Sequence, residues 1–327
     1  MRYLITGEAG FIAQNLSAKF KNRGHEVVCI DNANMLKLQS TGEACVHRNT
    51  AEQWAYHLKN LNVDTVIHNA AIVGTDVVAL NPKEATLTNI TGTYNIVSAC
   101  NIANIPICYL GTTVIYDTSK YQNVEITEKS DLNPTTFYGV QKLAGEQVVK
   151  NHANRWTVMR PLFAFGGAGD MNSLIAKSVW SKKNGRSLID MFLDPDKIKD
   201  YLYVNDFCEA VAIGCERGLF GRDYNIAAET PYKVADIMEM IEAELKMSLR
   251  SVVKWYPGTD YLGNHRLSSK KFRIETGWSP KYNLQQGIAT AVEDIMSDTS
   301  GYDPLVHIDE ASSKGVDLVQ FFPKQQA

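Results

Sequence analysis

Short β-branched and aliphatic runs alternate with longer amphipathic stretches through the first half of the chain. Apolar runs at 2–6, 26–30, 64–68, 106–111 and 156–160 predict strands, with a weaker one near 43–47. Helices are predicted between them at about 11–23, 51–61, 84–103 and 136–152. Strands that are apolar throughout and separated by helices make a parallel sheet covered on both faces. The fold class expected is therefore doubly wound α/β.

After Arg160 the alternation breaks. A glycine-rich loop at 165–170 precedes a helix at about 172–183, a strand running into a helix at 198–215, and a short strand at 222–228. Further helices are expected at about 233–246, 268–276 and 284–297. This half reads as a smaller mixed α/β lobe interleaved with returns to the first. The division expected is 1–165 with 199–228 as one domain, 166–198 with 229–299 as a substrate lobe, and 300–327 as an arm or mobile tail.

Thirty-three basic against 36 acidic residues leave a net charge of −3, which gives no electrostatic case for a nucleic-acid partner. No apolar run is long enough to cross a bilayer, so no membrane is expected either. Met1 runs directly into the strand-like Arg2-Tyr3-Leu4-Ile5-Thr6, which predicts no secretory leader and a cytoplasmic location. The cysteines at 29, 45, 100, 108, 208 and 215 form no CxxC pair and read as core thiols. The seven histidines include no HExxH, so no metal site is expected.

Strand 2–6 runs into Thr6-Gly7-Glu8-Ala9-Gly10-Phe11-Ile12-Ala13 and then a helix. In this pattern Gly7 allows a sharp turn, Gly10 lets the backbone approach a pyrophosphate, and Ala13 lets the helix pack closely. The helix N-terminus then offers unpaired N–H groups to the phosphates. Asp31 ends the second strand 21 residues after Gly10, where a carboxylate accepts both ribose hydroxyls of a dinucleotide. A carboxylate there repels the 2′-phosphate of NADP, so the cofactor expected is NAD.

Two YxxxK pairs occur, Tyr116/Lys120 and Tyr138/Lys142. The first lies in the loop-like Tyr-Asp-Thr-Ser-Lys. The second lies in a segment with helix-start composition, where positions i and i+4 share a face. Tyr138/Lys142 is therefore the functional pair expected, and Tyr116 a packed aromatic. Tyrosine ionises near pH 10, so a base working near neutrality needs its phenolate favoured by roughly 4 kcal/mol. A nearby ammonium supplies that preference. Thr112, at the end of strand 106–111, is placed to hydrogen-bond the reacting oxygen.

The chain resembles the extended short-chain dehydrogenase/reductase family, the NAD-dependent epimerase/dehydratases of nucleotide sugars. Thr6-Gly-Glu-Ala-Gly-Phe-Ile, His68-Asn-Ala-Ala71, Leu110-Gly-Thr-Thr-Val-Ile-Tyr116, Tyr138-Gly-Val-Gln-Lys142, Arg160-Pro161 and Lys199-Asp-Tyr-Leu-Tyr-Val-Asn-Asp206 carry the resemblance in order. It implies a Rossmann-type sheet with Thr112, Tyr138 and Lys142 as the catalytic set. For the cofactor it implies Gly7, Gly10, Phe11, Ile12, Asp31, Asn32, Asn69, Ala70, Ala71, Asn89, Pro161 and Leu162, together with the catalytic three. Members commonly dimerise through the helix bearing YxxxK and the one near 84–103. Ile96, Val97, Ile102, Leu143, Val148 and Val149 are apolar positions consistent with a homodimer, and equally with a core face.

The residues after Thr112 bear on the reaction. Dehydratases of the family resemble Thr-Asp-Glu here, whereas this chain has Thr112-Thr113-Val114 and neither carboxylate. That favours an epimerase of a sugar, foremost a nucleotide-activated one, with a dehydrogenase or reductase of another sugar or alcohol as the alternative. The substrate side departs from the family. Phe163 stands where an asparagine usually contacts the diphosphate, and Lys199 stands where arginine is usual, losing its bidentate fork. Thr112, Thr113, Tyr138, Phe163, Lys199 and Arg266 are the substrate contacts expected, with an exposed surface arginine as the other reading of Arg266.

Overall fold

The computed structural model describes all residues except 32–45, 118–119, 122, 168, 171–172, 186–188, 192, 250–252, 257–263, 265, 302, 306–308, 310, 312, 314–315, 318–319 and 321–327, with the backbone alone for 189–191. The first half runs β1 (Arg2–Thr6), α1 (Phe11–Asn22), β2 (Glu26–Ile30), α2 (Ala51–Asn60), β3 (Thr65–His68), α3 (Thr75–Leu80) and α4 (Pro82–Thr86). A π-helical turn, Leu87–Gly92, leads into α5 (Thr93–Ala103) and β4 (Ile107–Leu110). A 3₁₀ turn at Thr113–Ile115, β5 (Glu125–Ile126), α6 (Phe137–His152) and β6 (Trp156–Pro161) complete it. The second half holds β7 (Ala164–Phe165), α7 (Leu174–Lys183), β8 (Ile189–Met191), β9 (Ile198–Lys199), β10 (Leu202–Tyr203), α8 (Val204–Glu216) and β11 (Arg222–Ile226). It continues through β12 (Tyr232–Lys233), α9 (Val234–Leu245), β13 (Val253–Trp255), β14 (Arg266–Leu267), α10 (Lys270–Thr276) and α11 (Leu284–Ser297).

Six strands form the central sheet in the order β11-β6-β4-β3-β1-β2, and every pairing in it is parallel. From β1 the chain goes to β2 on one side and then crosses to β3 on the other. That reversal opens a crevice outside the carboxyl ends of β1 and β3, the usual ligand position in such sheets. β3 and β4 are buried at every position, as expected of strands covered on both faces. One core cluster reaches from Tyr3 and Ile5 on β1 to Ile288 and Ala291 on α11, tying the second half to the sheet.

Several expectations change. Residues 32–45, with Asn32, Cys45 and most of the weak strand near 43–47, lie outside the described residues, and 46–49 form a turn. The stretch expected as one helix at 84–103 is α4, a π turn and α5, and α3 precedes it. Ile96, Val97 and Val149 are fully buried in the chain's own core, so they offer nothing to a partner. Ile102 is about half exposed, as are Tyr94, Phe137 and Val140. In the C-terminal segment Leu305 and Ala311 are buried, with Leu80 and Trp180 packed against them. Cys100, Cys108, Cys208 and Cys215 are buried free thiols and Cys29 is partly buried.

Candidate active site

At the end of β1 the chain turns at Gly7, whose φ of 81° is open to glycine without strain. A Cβ there would lie 2.9 Å from Ala70 Cα, so glycine is also needed for the close approach of β1 and β3. The Gly7 and Glu8 amides donate to Ile30 O, at 2.7 and 3.3 Å, and the Gly10 amide donates to Gly7 O at 3.0 Å. Gly10 caps α1 with no side-chain hydrogen bond, leaving that helix end to an anion. Phe11 and Ile12, half-buried, form its first turn. Asp31 Oδ2 accepts from the Ala9 amide at 2.7 Å, which fixes the carboxylate at the end of β2 against the same turn.

Across the crevice, Thr6 Oγ1 accepts from the amides of Asn69 and Ala70 at 3.2 and 3.0 Å. Asn69 Nδ2 reaches Gly7 O at 3.4 Å, and Ala71 follows, half-buried. Thr6 Oγ1 and His68 Nδ1 are 2.8 Å apart, and His68 Nε2 and Thr93 Oγ1 are 3.0 Å apart. The Thr93 hydroxyl donates to Asn89 O, so it accepts from Nε2–H, and Nδ1 accepts from Thr6. Burial, with the Lys142 charge nearby, pushes His68 down to about 3, so it is neutral. A turn without a capping side chain, a glycine cradle that a Cβ would fill, and a placed carboxylate together fit a dinucleotide.

Asn89, in the π turn, accepts from the Ile72 amide at 2.8 Å and donates to Ile72 O and Gln141 Oε1, both at 2.9 Å. It therefore holds the chain beyond β3 against α6. Nothing in the sequence marked Gln141, whose Nε2 also donates to Thr86 Oγ1.

Thr112 follows β4 and caps the 3₁₀ turn, and Thr113 beside it is buried. Thr136 caps α6 by accepting from the Gly139 amide at 3.1 Å. A Cβ on Gly139 would meet Val114 O at 2.9 Å, so glycine lets the start of α6 press on the turn after Thr112. That contact brings half-buried Tyr138 to the same end of the sheet. One turn on, Lys142 Nζ donates to Leu110 O at 2.8 Å and lies 4.3 Å from the Tyr109 ring centre. Burial pulls this amine down to about 7, with Glu146 acting the other way.

The other YxxxK pair is pulled apart. The buried Tyr116 hydroxyl donates to Asn225 Oδ1 and accepts from Arg160 Nη1, both at 2.7 Å. Lys120 lies at the surface with Asp131, 2.8 Å away. Arg160 in turn grips Glu146 through Nε and Nη2, at 2.9 and 2.6 Å, and Nη2 reaches Asp223 at 2.7 Å. This buried ion network, missed in the sequence, fastens α6 to β6 and β11.

On the substrate side, Pro161 pairs with Ile226, and the Leu162 amide donates to Ile226 O at 3.1 Å. Phe163 has a φ of 35°, a conformation that costs a bulky residue about 1–3 kcal/mol. Its ring stacks on Tyr201 at 5.5 Å, and Lys199 Nζ stands 5.7 Å from its centre. Arg266 is exposed on β14 and lines a cavity of about 330 Å³ with Glu125, Asp200, Glu229, Pro231 and Leu267. Asp200 accepts from the Glu229 and Thr230 amides, and burial raises its carboxyl to about 6.

The sequence profile of the NAD-dependent epimerase/dehydratase family matches residues 3–227. The chain belongs to that family. It is 25% identical to UDP-glucuronate 4-epimerase 4 of Arabidopsis thaliana over 91% of this chain and 76% of the relative. It is 22% identical to a dTDP-glucose 4,6-dehydratase of Mycobacterium tuberculosis over 95% of this chain and 98% of that one. Among solved structures, dTDP-glucose 4,6-dehydratase of Bacillus anthracis in complex with NAD aligns with a TM-score of 0.78 at 20% identity, over 93% of this chain and 99% of that one. UDP-glucuronic acid 4-epimerase of Bacillus cereus, in complex with UDP-glucuronic acid and NAD, aligns with a TM-score of 0.75 at 21% identity, covering 90% and 98%. The cofactor of this family member is NAD.

Proposed function

We propose that the chain is an NAD-dependent epimerase of a sugar, with nucleotide-activated sugars the first class to test. The observation that carries this reading is the make-up of the segment beyond β4. Thr112, Thr113 and Val114 bring no carboxylate, so Tyr138 is the acid–base group at that end of the sheet. Elimination of water needs a further acid and base, whereas epimerisation needs one group that takes and returns a proton. NAD, when bound, supplies reversible hydride acceptance. Tyr138 takes the hydroxyl proton as the carbon is oxidised to a ketone, Thr112 hydrogen-bonds the same oxygen, and Lys142 favours the phenolate. The ketone turns in the site, and reduction on its opposite face recovers the proton from Tyr138. On this reading residues 1–165 with 199–228 bind NAD, and 166–198 with 229–299 hold the sugar.

Phe163 and Lys199 favour a second reading, a dehydrogenase or reductase of the same family acting on another sugar or alcohol. The test is incubation of the NAD-loaded protein with a panel of nucleotide sugars, following sugar stereochemistry by NMR and NADH by absorbance. Inversion at one carbon without net NADH supports the epimerase. Stoichiometric NADH supports the second reading, and no turnover of any sugar or alcohol refutes both.

A further inference from the structure

We infer that Phe163 sets the substrate class, selecting against a diphosphate beside the sugar and for a segment carrying at most one negative charge. The inference rests on the sugar-epimerase reading and narrows it.

Among the described non-glycine residues with positive φ, three are asparagines, and Phe163 is the one aromatic. Left-handed backbone suits asparagine or glycine, so a phenylalanine there persists because its surroundings hold it. The holding contacts are visible. Phe163 O accepts from the Leu202 amide at 3.3 Å, and the next residue, Ala164, pairs with Leu202. The ring lies on Tyr201 and on the ammonium of Lys199. Lys199 has no solvent exposure, whereas Phe163 is half-buried, so this pair offers solvent an aromatic face and not a cation. A cation engaged with a ring has less positive potential left for a phosphate.

The adjoining cavity points the same way. Among the described lining residues it sets Asp200, Glu229 and Glu125 against one guanidinium, Arg266, with Arg273 paired to Glu229 at 3.5 Å from outside the lining. Two phosphate charges placed there would meet more carboxylates than cations. The ring at Phe163 and the charge balance beyond it are separate features, and both disfavour a diphosphate.

The test is calorimetric titration of the NAD-loaded protein with UDP and with UMP, for the wild type and for Phe163→Asn, Phe163→Gly and Phe163→Tyr. Asn and Gly accept the backbone and uncover Lys199, whereas Tyr keeps the aromatic cover. UDP affinity is expected to rise about tenfold or more in Phe163→Asn and Phe163→Gly, with a smaller rise for UMP, and to change little in Phe163→Tyr. A wild type that binds UDP as tightly as the Asn and Gly variants overturns the inference. So does an equal gain in Phe163→Tyr. Titration with NAD comes first and stands apart, since a wild type that does not bind NAD removes the epimerase reading itself. A melting curve identifies a variant that fails to fold, and the other uncovering variant then decides.

Discussion

The ammonium of Lys142 donates to the carbonyl of Leu110 at 2.8 Å from a fully buried position, with the Tyr109 ring 4.3 Å away. Burial pulls the amine down to about 7, although Glu146, one turn on, opposes it. In the unfolded chain a lysine keeps its proton to about pH 10.4. Between those values the unfolded state binds more protons, so stability rises with pH. Lys142→Met removes the charge at similar volume, and its advantage over the wild type is therefore largest in acid. The variant is expected to gain about 2–3 kcal/mol more at pH 6 than at pH 9.5. Melting temperatures measured across that range decide it, and a pH-independent difference between the two proteins refutes the assignment.

Asp31 and the glycine turn act as one unit, since the carboxylate accepts from the Ala9 amide at 2.7 Å. A 2′-phosphate placed by this carboxylate would meet a like charge. Asp31→Ser is expected to improve NADP binding relative to NAD by about tenfold or more, roughly 1.4 kcal/mol or above. Titration with the two cofactors measures the ratio, and an unchanged ratio means that discrimination lies elsewhere.

What was legible in the sequence follows from distance along the chain. The glycine turn, the strands and Tyr138/Lys142 are local patterns, so their residues announce them. α3 was missed because Thr-Asp-Val-Val-Ala-Leu is rich in β-branched residues and only six long. The π turn at Leu87–Gly92 has nearly the apolar period of an α-helix, so it read as part of one. His68 joins Thr6 and Thr93 across separations of 62 and 25 residues, and Tyr116 joins Asn225 across 109. No period records such pairings, because they exist only once the sheet is assembled. The two-residue strands β5 and β14, which carry Glu125 and Arg266, are too short to show alternation.

Glu146 and Arg160 are both buried and joined by two hydrogen bonds. Glu146→Ala leaves a buried guanidinium with Asp223 as its remaining carboxylate and is expected to cost about 3–5 kcal/mol. Arg160 and the neighbouring lysines hold the Asp223 carboxyl well below its usual range, against the effect of its burial. Its contribution is complete above pH 4 and is lost as pH falls toward that lowered value. Asp223→Asn should therefore flatten the acid limb of the stability curve below pH 4 while lowering stability at pH 7. Urea titrations at both pH values check the two effects, and a parallel loss at all pH values rules out the linkage.

The two YxxxK tyrosines make opposite predictions. Tyr138 is half-buried at the start of α6, and Tyr116 is buried between Arg160 and Asn225. Removing a general acid–base group lowers turnover by about 10²–10⁴-fold without unfolding the protein. Tyr138→Phe is expected to show that loss in kcat while keeping its melting temperature and its affinity for NAD. Tyr116→Phe leaves Asn225 and Arg160 short of a buried partner and is expected to cost about 1–3 kcal/mol of stability. Its turnover should stay within about tenfold of the wild type, because the lost hydroxyl serves the fold and not the reacting oxygen. Measuring kcat, NAD affinity and melting temperature on both variants separates the roles. A Tyr116→Phe protein that is stable and inactive would exchange the assignments of the two pairs.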